Sequence, residues 1–240
     1  MKQNELSRRA FFRHACSGAF GLAGSMVLLP LLAAEGKKTS LTPDQALARL
    51  KKGNVDFLAD KAKVSPQDHN QRLEIARGQT PFAILVGCSD SRVPPELLFD
   101  TGLGEVFIVR NVGNTVDTVA LGSIEYGVLE LGVPLIVVLG HERCGAVKAA
   151  LAVVQKNATY PGSIGQTLEP IIPAVLKANS AVGLKGDDLL DAAVRENVRR
   201  TVNRLRNSEA SLIEPMLAGK LKIVGARYDL EAGKVDFFME

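Results

Sequence analysis

"PLIVVLGHERCGAV", residues 134–147, begins as an unbroken apolar run and ends in a cluster of histidine, glutamate, arginine and cysteine. A short run rich in β-branched side chains reads as a strand covered on both faces. "PFAILVG" (81–87) and "EVFIVR" (105–110) have the same character. Between the last two strands, "TVALGSIEYGVLELG" (118–132) places Val119, Ile124, Val128 and Leu131 at helical spacing. Strand, loop, strand, helix, strand, helix predicts an α/β fold, with a mainly parallel β-sheet flanked by helices on both faces.

Working outward, "TPDQALARLKKGNVDFLAD" (42–60) predicts a helix capped by Thr42, with Pro43 in its first turn. A second helix is expected over 66–77, stopped by Gly78. Beyond residue 147 the chain turns helical for a long stretch. In "AAVRENVRRTVNRLRN" (192–207), Val194, Val198, Val202 and Leu205 form a stripe facing the core, and five arginines form a solvated basic face. "KIVGARYDL" and "KVDFFM" predict a final strand and a hairpin that adds an edge strand.

The 240 residues suffice for one domain with a substantial core. Lys2, Arg8, Arg9 and Arg13, against Glu5, account for the whole net charge of +3. The rest is neutral, so neither nucleic acid nor anionic lipid is an expected partner. "SRRAFFR" (7–13) resembles the twin-arginine export motif, and the uncharged, mildly apolar stretch 15–34, although long enough to cross a bilayer, suits an export signal better than a stable span. Residues 1–34 are therefore expected to be an export signal and 35–240 the mature domain, periplasmic or secreted. A retained N-terminal anchor is the alternative. Cys16 lacks a lipid-attachment context, which leaves Cys88 and Cys144. In an oxidising compartment two cysteines suggest a disulfide. Export of an already folded chain instead lets thiolates bind metal first.

Ligands of open parallel sheets bind at the carboxyl ends of strands. Two of the apolar runs end there in polar clusters: "CSDSR" (88–92) and "HERCG" (141–145). Cys88, His141 and Cys144 are expected to converge, although 53 positions separate the clusters. Two thiolates and an imidazole supply three zinc ligands and leave a fourth position open, as catalytic sites do. Asp90 is a candidate fourth ligand, and Arg92 is near enough to pair with it. A carboxylate held by arginine leaves the metal open to water; a freed one closes it. The competing reading is a buried histidine beside a disulfide or two inert thiols. Ser89 and Ser91 read as turn residues, and His69 as an exposed residue.

"CSDSRV" (88–93) followed by "GHERCGAV" (140–147) closely resembles the β-class carbonic anhydrases. The resemblance continues through "GQTP" (78–81), "GEVFIVRNVGN" (104–114) and "SIEYGVLELG" (123–132). It implies an N-terminal helical arm that embraces a partner, a homodimer or higher homo-oligomer, and one zinc ion per chain on Cys88, His141 and Cys144, with Asp90 or water completing the site. The implied reaction is reversible hydration of carbon dioxide to bicarbonate and a proton, the metal acidifying a water molecule. Two thiolates offset the metal's charge and weaken that effect, so an alkaline optimum is expected. Asp90 would accept a hydrogen bond from the nucleophile, and Arg92 would keep it ionised and off the metal. The Gly145 N–H, at a helix start, would hold developing negative charge.

The resemblance also implies that Gln79 donates to substrate and that Phe107, Val112 and Tyr126 line an apolar pocket, partly from a neighbouring subunit. Read from their positions alone, the last three are core residues and Gln79 a loop residue. A bicarbonate-regulated branch of the family has tryptophan where this chain has Leu85. Arg110 and Gly87 match other parts of that regulatory site, but without the tryptophan wall its gating is not expected. Rival readings are hydrolysis of carbonyl sulfide or carbon disulfide on the same fold, a non-catalytic zinc-binding module, and a thiol redox protein using Cys88 and Cys144.

Overall fold

The computed structural model describes residues 38–62, 69–181, 183–207 and 210–240. The expected export signal at 1–34, Cys16, and the start of the helix expected over 66–77 lie outside them. In chain order the elements are α1 (Pro43–Leu58), α2 (His69–Ile75), β1 (Ala83–Gly87), α3 (Pro95–Leu98), β2 (Val106–Arg110), α4 (Thr118–Leu129), β3 (Leu135–His141), α5 (Gly145–Lys156), α6 (Ser163–Leu168), α7 (Ile172–Asn179), α8 (Gly186–Asn207), α9 (Ala210–Leu217), β4 (Lys222–Tyr228) and β5 (Val235–Phe238).

One sheet runs in the order β2-β1-β3-β4-β5. Its first four strands pair in parallel, and β5 closes one side antiparallel to β4. The three apolar runs therefore become strands, as expected, and the last hairpin supplies the edge. Because side chains alternate along a strand, each run feeds two cores. Leu85, Val137 and Leu139 face α1, where they meet Ala46, Leu47 and Leu50. Ile84, Val86, Ile136 and Val138 face the other way, toward Ile124 of α4 and Val198 and Val202 of α8. Burial on both faces is why these strands read as continuous rather than alternating apolar sequence.

α1 starts where Thr42 and Gln45 cap each other reciprocally, the Thr42 N–H donating to Gln45 Oε1 at 2.8 Å and the Gln45 N–H to Thr42 Oγ1 at 3.3 Å. It docks on its own sheet through Ala46, Leu47 and Leu50. Asn54, also on α1, is buried, and its amide donates to the carbonyls of Leu98 and Gly233 while its oxygen accepts from the Val235 N–H. The α8 stripe is buried as expected, but the basic face is not simply solvated. Arg204 donates to the Val116 carbonyl, and Arg206 to the carbonyls of Ile223 and Met239. Arginine's long fork can reach back over a helix edge to backbone acceptors, which periodicity does not reveal.

The order 2-1-3-4 places the reversal of strand order between β1 and β3. At such a switch point the loops leave the sheet in opposite directions and open a crevice at the carboxyl ends.

Candidate metal centre

Cys88 follows the last residue of β1, His141 is the last residue of β3, and Cys144 caps the start of α5. Since Gly87 pairs with Leu139, the parallel register sets Cys88 one step short of His141 across the switch point. The ligand atoms of Cys88, His141 and Cys144 all lie within 4.8 Å of one another, and all three residues are buried. No disulfide joins the two cysteines.

Backbone groups aim these side chains. His141 Nδ1 lies 2.9 Å from the Glu142 carbonyl. A carbonyl only accepts, so Nδ1 carries the proton and Nε2 presents its lone pair. That Nε2 is buried and has no hydrogen-bond partner among the described residues, an expensive arrangement for a polar atom unless a ligand satisfies it. Two thiols and an imidazole facing one point match the donor set that zinc prefers. The residues fit the metal.

The two thiols are not equivalent. A hydrogen bond from Cys144 is the main reason the Cys88 thiol falls to a pKa of about 4; burial opposes the fall, while the Gly113 N–H assists it. The same Cys88 contact, with burial, pushes the Cys144 thiol up. The Gly113 N–H sits 3.3 Å from Cys88 Sγ. Gly113 has φ +70°, and a Cβ there would come within 2.6 Å of Ile171 Cδ1, so the approach requires glycine. Asn197 of α8 donates to the Gly113 carbonyl at 2.9 Å and holds the peptide in place.

Asp90 stands at the mouth, with Oδ2 3.8 Å from His141 Nε2. Arg92 donates through Nε to Asp90 Oδ1 and through Nη2 to Asp90 Oδ2. That fork, more than any other contact, holds the Asp90 carboxyl well below the usual carboxylate range. The loop itself is fixed from behind: Arg110 of β2 donates to the carbonyls of Cys88 at 2.7 Å and Asp90 at 2.6 Å. Ser89 Oγ donates to the Arg110 carbonyl at 3.4 Å.

The remaining expected site residues fall in different places. Val112 begins the turn that carries Gly113, and with Ser89 it opens onto a cleft of about 540 Å³ continuing along Asn111, Thr115 and Arg204. Gly145 begins α5 with open space where a side chain would be. Phe107 packs under α4, its ring 6.4 Å from that of half-exposed Tyr126. Gln79 lies exposed in the loop before β1. None of Gln79, Phe107, Tyr126 and Gly145 lines the cleft. Leu85 is fully buried in the core on the α1 side of the sheet.

Sequence reasoning missed Asn197 and the backbone grip of Arg110. A lone arginine ending an apolar strand was the available signal for the second; Asn197 gave none, because only the fold brings α8 to the Gly113 turn.

A family model described as carbonic anhydrase matches residues 83–235. Carbonic anhydrase 2 of Mycobacterium tuberculosis is 40% identical over 192 residues, covering 80% of this chain and 91% of its own. A carbonic anhydrase of Mycolicibacterium smegmatis is 40% identical over 194 residues, 81% of this chain and 92% of its own. Among solved structures, a tetrameric β-carbonic anhydrase of Sordaria macrospora superposes with a TM-score of 0.65 at 25% identity, covering 79% of this chain and 94% of that one. A Coccomyxa β-carbonic anhydrase in complex with acetazolamide gives 0.64 at 30% identity, covering 81% and 86%.

Proposed function

The chain belongs to the β-class carbonic anhydrases, and from that premise we propose that Cys88, His141 and Cys144 hold one zinc ion while Asp90 and Arg92 govern access to it. The enzyme hydrates carbon dioxide reversibly to bicarbonate and a proton. One observation carries the zinc assignment: a buried, unpartnered histidine nitrogen converges with two thiols at a strand switch point.

A zinc ion there would supply Lewis acidity that acidifies a water molecule into an effective nucleophile, most fully on the alkaline side because two thiolates offset its charge. The protein's part is positional. Asp90, ionised and held by Arg92, offers an acceptor at the mouth of the site that orients the O–H of the attacking water and receives no metal bond while the fork holds. Arg110 keeps the Cys88–Asp90 backbone from drifting, and Gly113 secures the Cys88 sulfur. Gly145 begins α5 with open space on its Cβ side, and its N–H, at the positive end of that helix, is assigned to developing negative charge. Gln79 donates to substrate, and Val112, Phe107 and Tyr126 supply apolar walls for a small linear gas molecule.

Those walls are completed by a second copy of the chain. β2 is an edge strand, and beside it α4 presents Val119, Tyr126 and Leu129 at 78%, 46% and 50% exposure. Such a patch on a domain edge marks an interface. The Sordaria relative is tetrameric, which supports a homo-oligomer. Residues 1–34 direct export by the twin-arginine route, giving a periplasmic or secreted enzyme. Among the described residues no helix is long and apolar enough to cross a membrane.

Stopped-flow carbon dioxide hydration on residues 35–240, with zinc measured on the same sample, tests this reading. The expected result is one zinc per chain and activity rising toward alkaline pH. One zinc with no hydration would redirect the search to sulfur analogues of carbon dioxide; no zinc would overturn the metal centre.

A further inference from the structure

The two residues between His141 and Cys144 do no chemistry, yet they are tied to a distant hairpin. Arg143 takes φ +52°, in the left-handed region that a residue with a side chain enters only at a cost. This reversal lies directly between two ligands, so its stability decides whether both face the same point.

Glu142 holds the turn at three atoms. Its N–H donates to the Tyr228 carbonyl at 2.9 Å, extending the β3–β4 ladder by one bond. Its carbonyl accepts from His141 Nδ1 and so sets the ring's tautomer and direction. Its carboxylate Oε2 accepts from the Leu230 N–H at 3.1 Å, with Arg143 Nη2 at 3.4 Å. Arg143 in turn reaches Glu231 through Nη1 at 2.8 Å. Leu230 and Glu231 belong to the β4–β5 turn, which is fixed independently. Asp229 Oδ1 accepts from the N–H groups of Glu231 and Ala232 at 3.1 and 2.8 Å. Asn54 of α1 ties down Gly233 and Val235 from the other side.

We propose that Glu142 is a positioning residue for the metal centre: by gripping the Leu230 N–H, its carboxylate anchors the carbonyl that aims His141 and the left-handed turn that delivers Cys144. The proposal rests on the zinc reading above. Partners that orient metal ligands in this way are worth about 10–100-fold in metal affinity or activity.

The test compares the full chain with Glu142→Ala, Glu142→Gln and Glu231→Ala, measuring zinc loss to a competing chelator, the visible spectrum after cobalt substitution, and hydration rate. Glu142→Ala is expected to release zinc about 10–100-fold more readily, with an altered cobalt spectrum. Glu142→Gln keeps an oxygen for the Leu230 N–H, so it is expected to restore most of the retention and the spectrum; a purely charge-based role would not be rescued. Glu231→Ala, at an exposed position, cuts the contact between Arg143 and the hairpin while leaving Arg143 on Glu142, and is expected to act in the same direction but less. Should Glu142→Ala fail to fold, Glu142→Gln and Glu231→Ala decide the matter. Unchanged retention in every variant that folds, or a glutamine variant as impaired as the alanine one, overturns the role of Glu142. An unmutated chain that binds no zinc overturns the metal centre itself, a separate result.

Discussion

Arg92 grips both carboxylate oxygens of Asp90 from two residues away, Nε on Oδ1 at 2.9 Å and Nη2 on Oδ2 at 2.8 Å. The Arg92 backbone N–H adds a third bond to Oδ1 at 3.0 Å. A loop that satisfies its own carboxylate so completely keeps it ionised and fixed at the mouth of the site, with Oδ2 3.8 Å from His141 Nε2. Lysine cannot reproduce a two-pronged grip. Arg92→Lys is expected to lower kcat/KM by about 10–100-fold with zinc content unchanged. Asp90 starts well below its ordinary value of 3.8, and losing the fork moves it upward toward that value, still short of neutrality. The pH–rate profile above neutrality should therefore lose height without moving. A displaced midpoint at full height would contradict this.

Asp90→Asn removes the charge but keeps the size. Loss of the acceptor for the nucleophile's proton should reduce kcat by about 10²-fold or more. Zinc analysis and stopped-flow hydration on one preparation check it; a variant that hydrates normally would remove Asp90 from the reaction.

Gly113→Ala places a methyl group 2.6 Å from Ile171 Cδ1 at φ +70°. Left-handed strain alone costs about 1–3 kcal/mol, and the clash adds to it. The melting temperature of the apo protein should fall by several degrees. Cys88 should also lose an N–H contact that lowers its thiol pKa, which an upward shift in the pH midpoint of its alkylation in the apo protein would reveal.

Asn54→Ala strips the hydrogen-bond partner from the Val235 N–H and from the carbonyls of Leu98 and Gly233. Each buried group left unpaired costs about 1–3 kcal/mol, so this substitution should be among the most destabilising outside the apolar core. Equilibrium unfolding in urea measures it. A midpoint unchanged from the parent would show that water replaces the amide at no cost.

The Asp229 carboxyl lies below its ordinary value of 3.8, held there first by the Ala232 N–H and next by Arg227. A depressed value in the folded state means stability that is complete above the ordinary value and lost as pH falls through the folded one. Asp229→Asn should therefore lower the melting temperature by a constant amount above about pH 5, with the gap narrowing below about pH 4. A gap that widens in acid would reverse the assignment.

The strands, the α1 cap and the converging ligands were all legible because local chemistry determines them. Short β-branched runs such as 135–139 suit a strand covered on both faces, Thr42 and Pro43 ahead of an apolar stripe at helical spacing mark a helix start, and strand ends in a parallel sheet lie side by side. What escaped was contact between distant segments through polar side chains. Asn54, Asn197 and Glu142 look in sequence like ordinary helix or loop residues; their partners at 233, 113 and 230 are identified only when the chain is folded. The arginines of α8 misled for the same reason, since a helical wheel shows which side a residue faces but not how far it reaches.

The strand order has one more consequence. Cys88 and His141 are 53 positions apart, and the chain between them contains β2 and α4. A bridge across the two residues closes that segment into a ring, while α6 to α9 hang outside it. Closing a ring of this size removes conformational freedom from the unfolded chain, at a cost that grows only slowly with length. Opening motions of the outer helices can then proceed with the bridge intact, whereas unfolding of the segment that holds β2 and α4 gains less chain freedom while the ring stays closed. Amide hydrogen exchange should divide along that line, slowing within residues 88–141 when metal is added and changing least in α9.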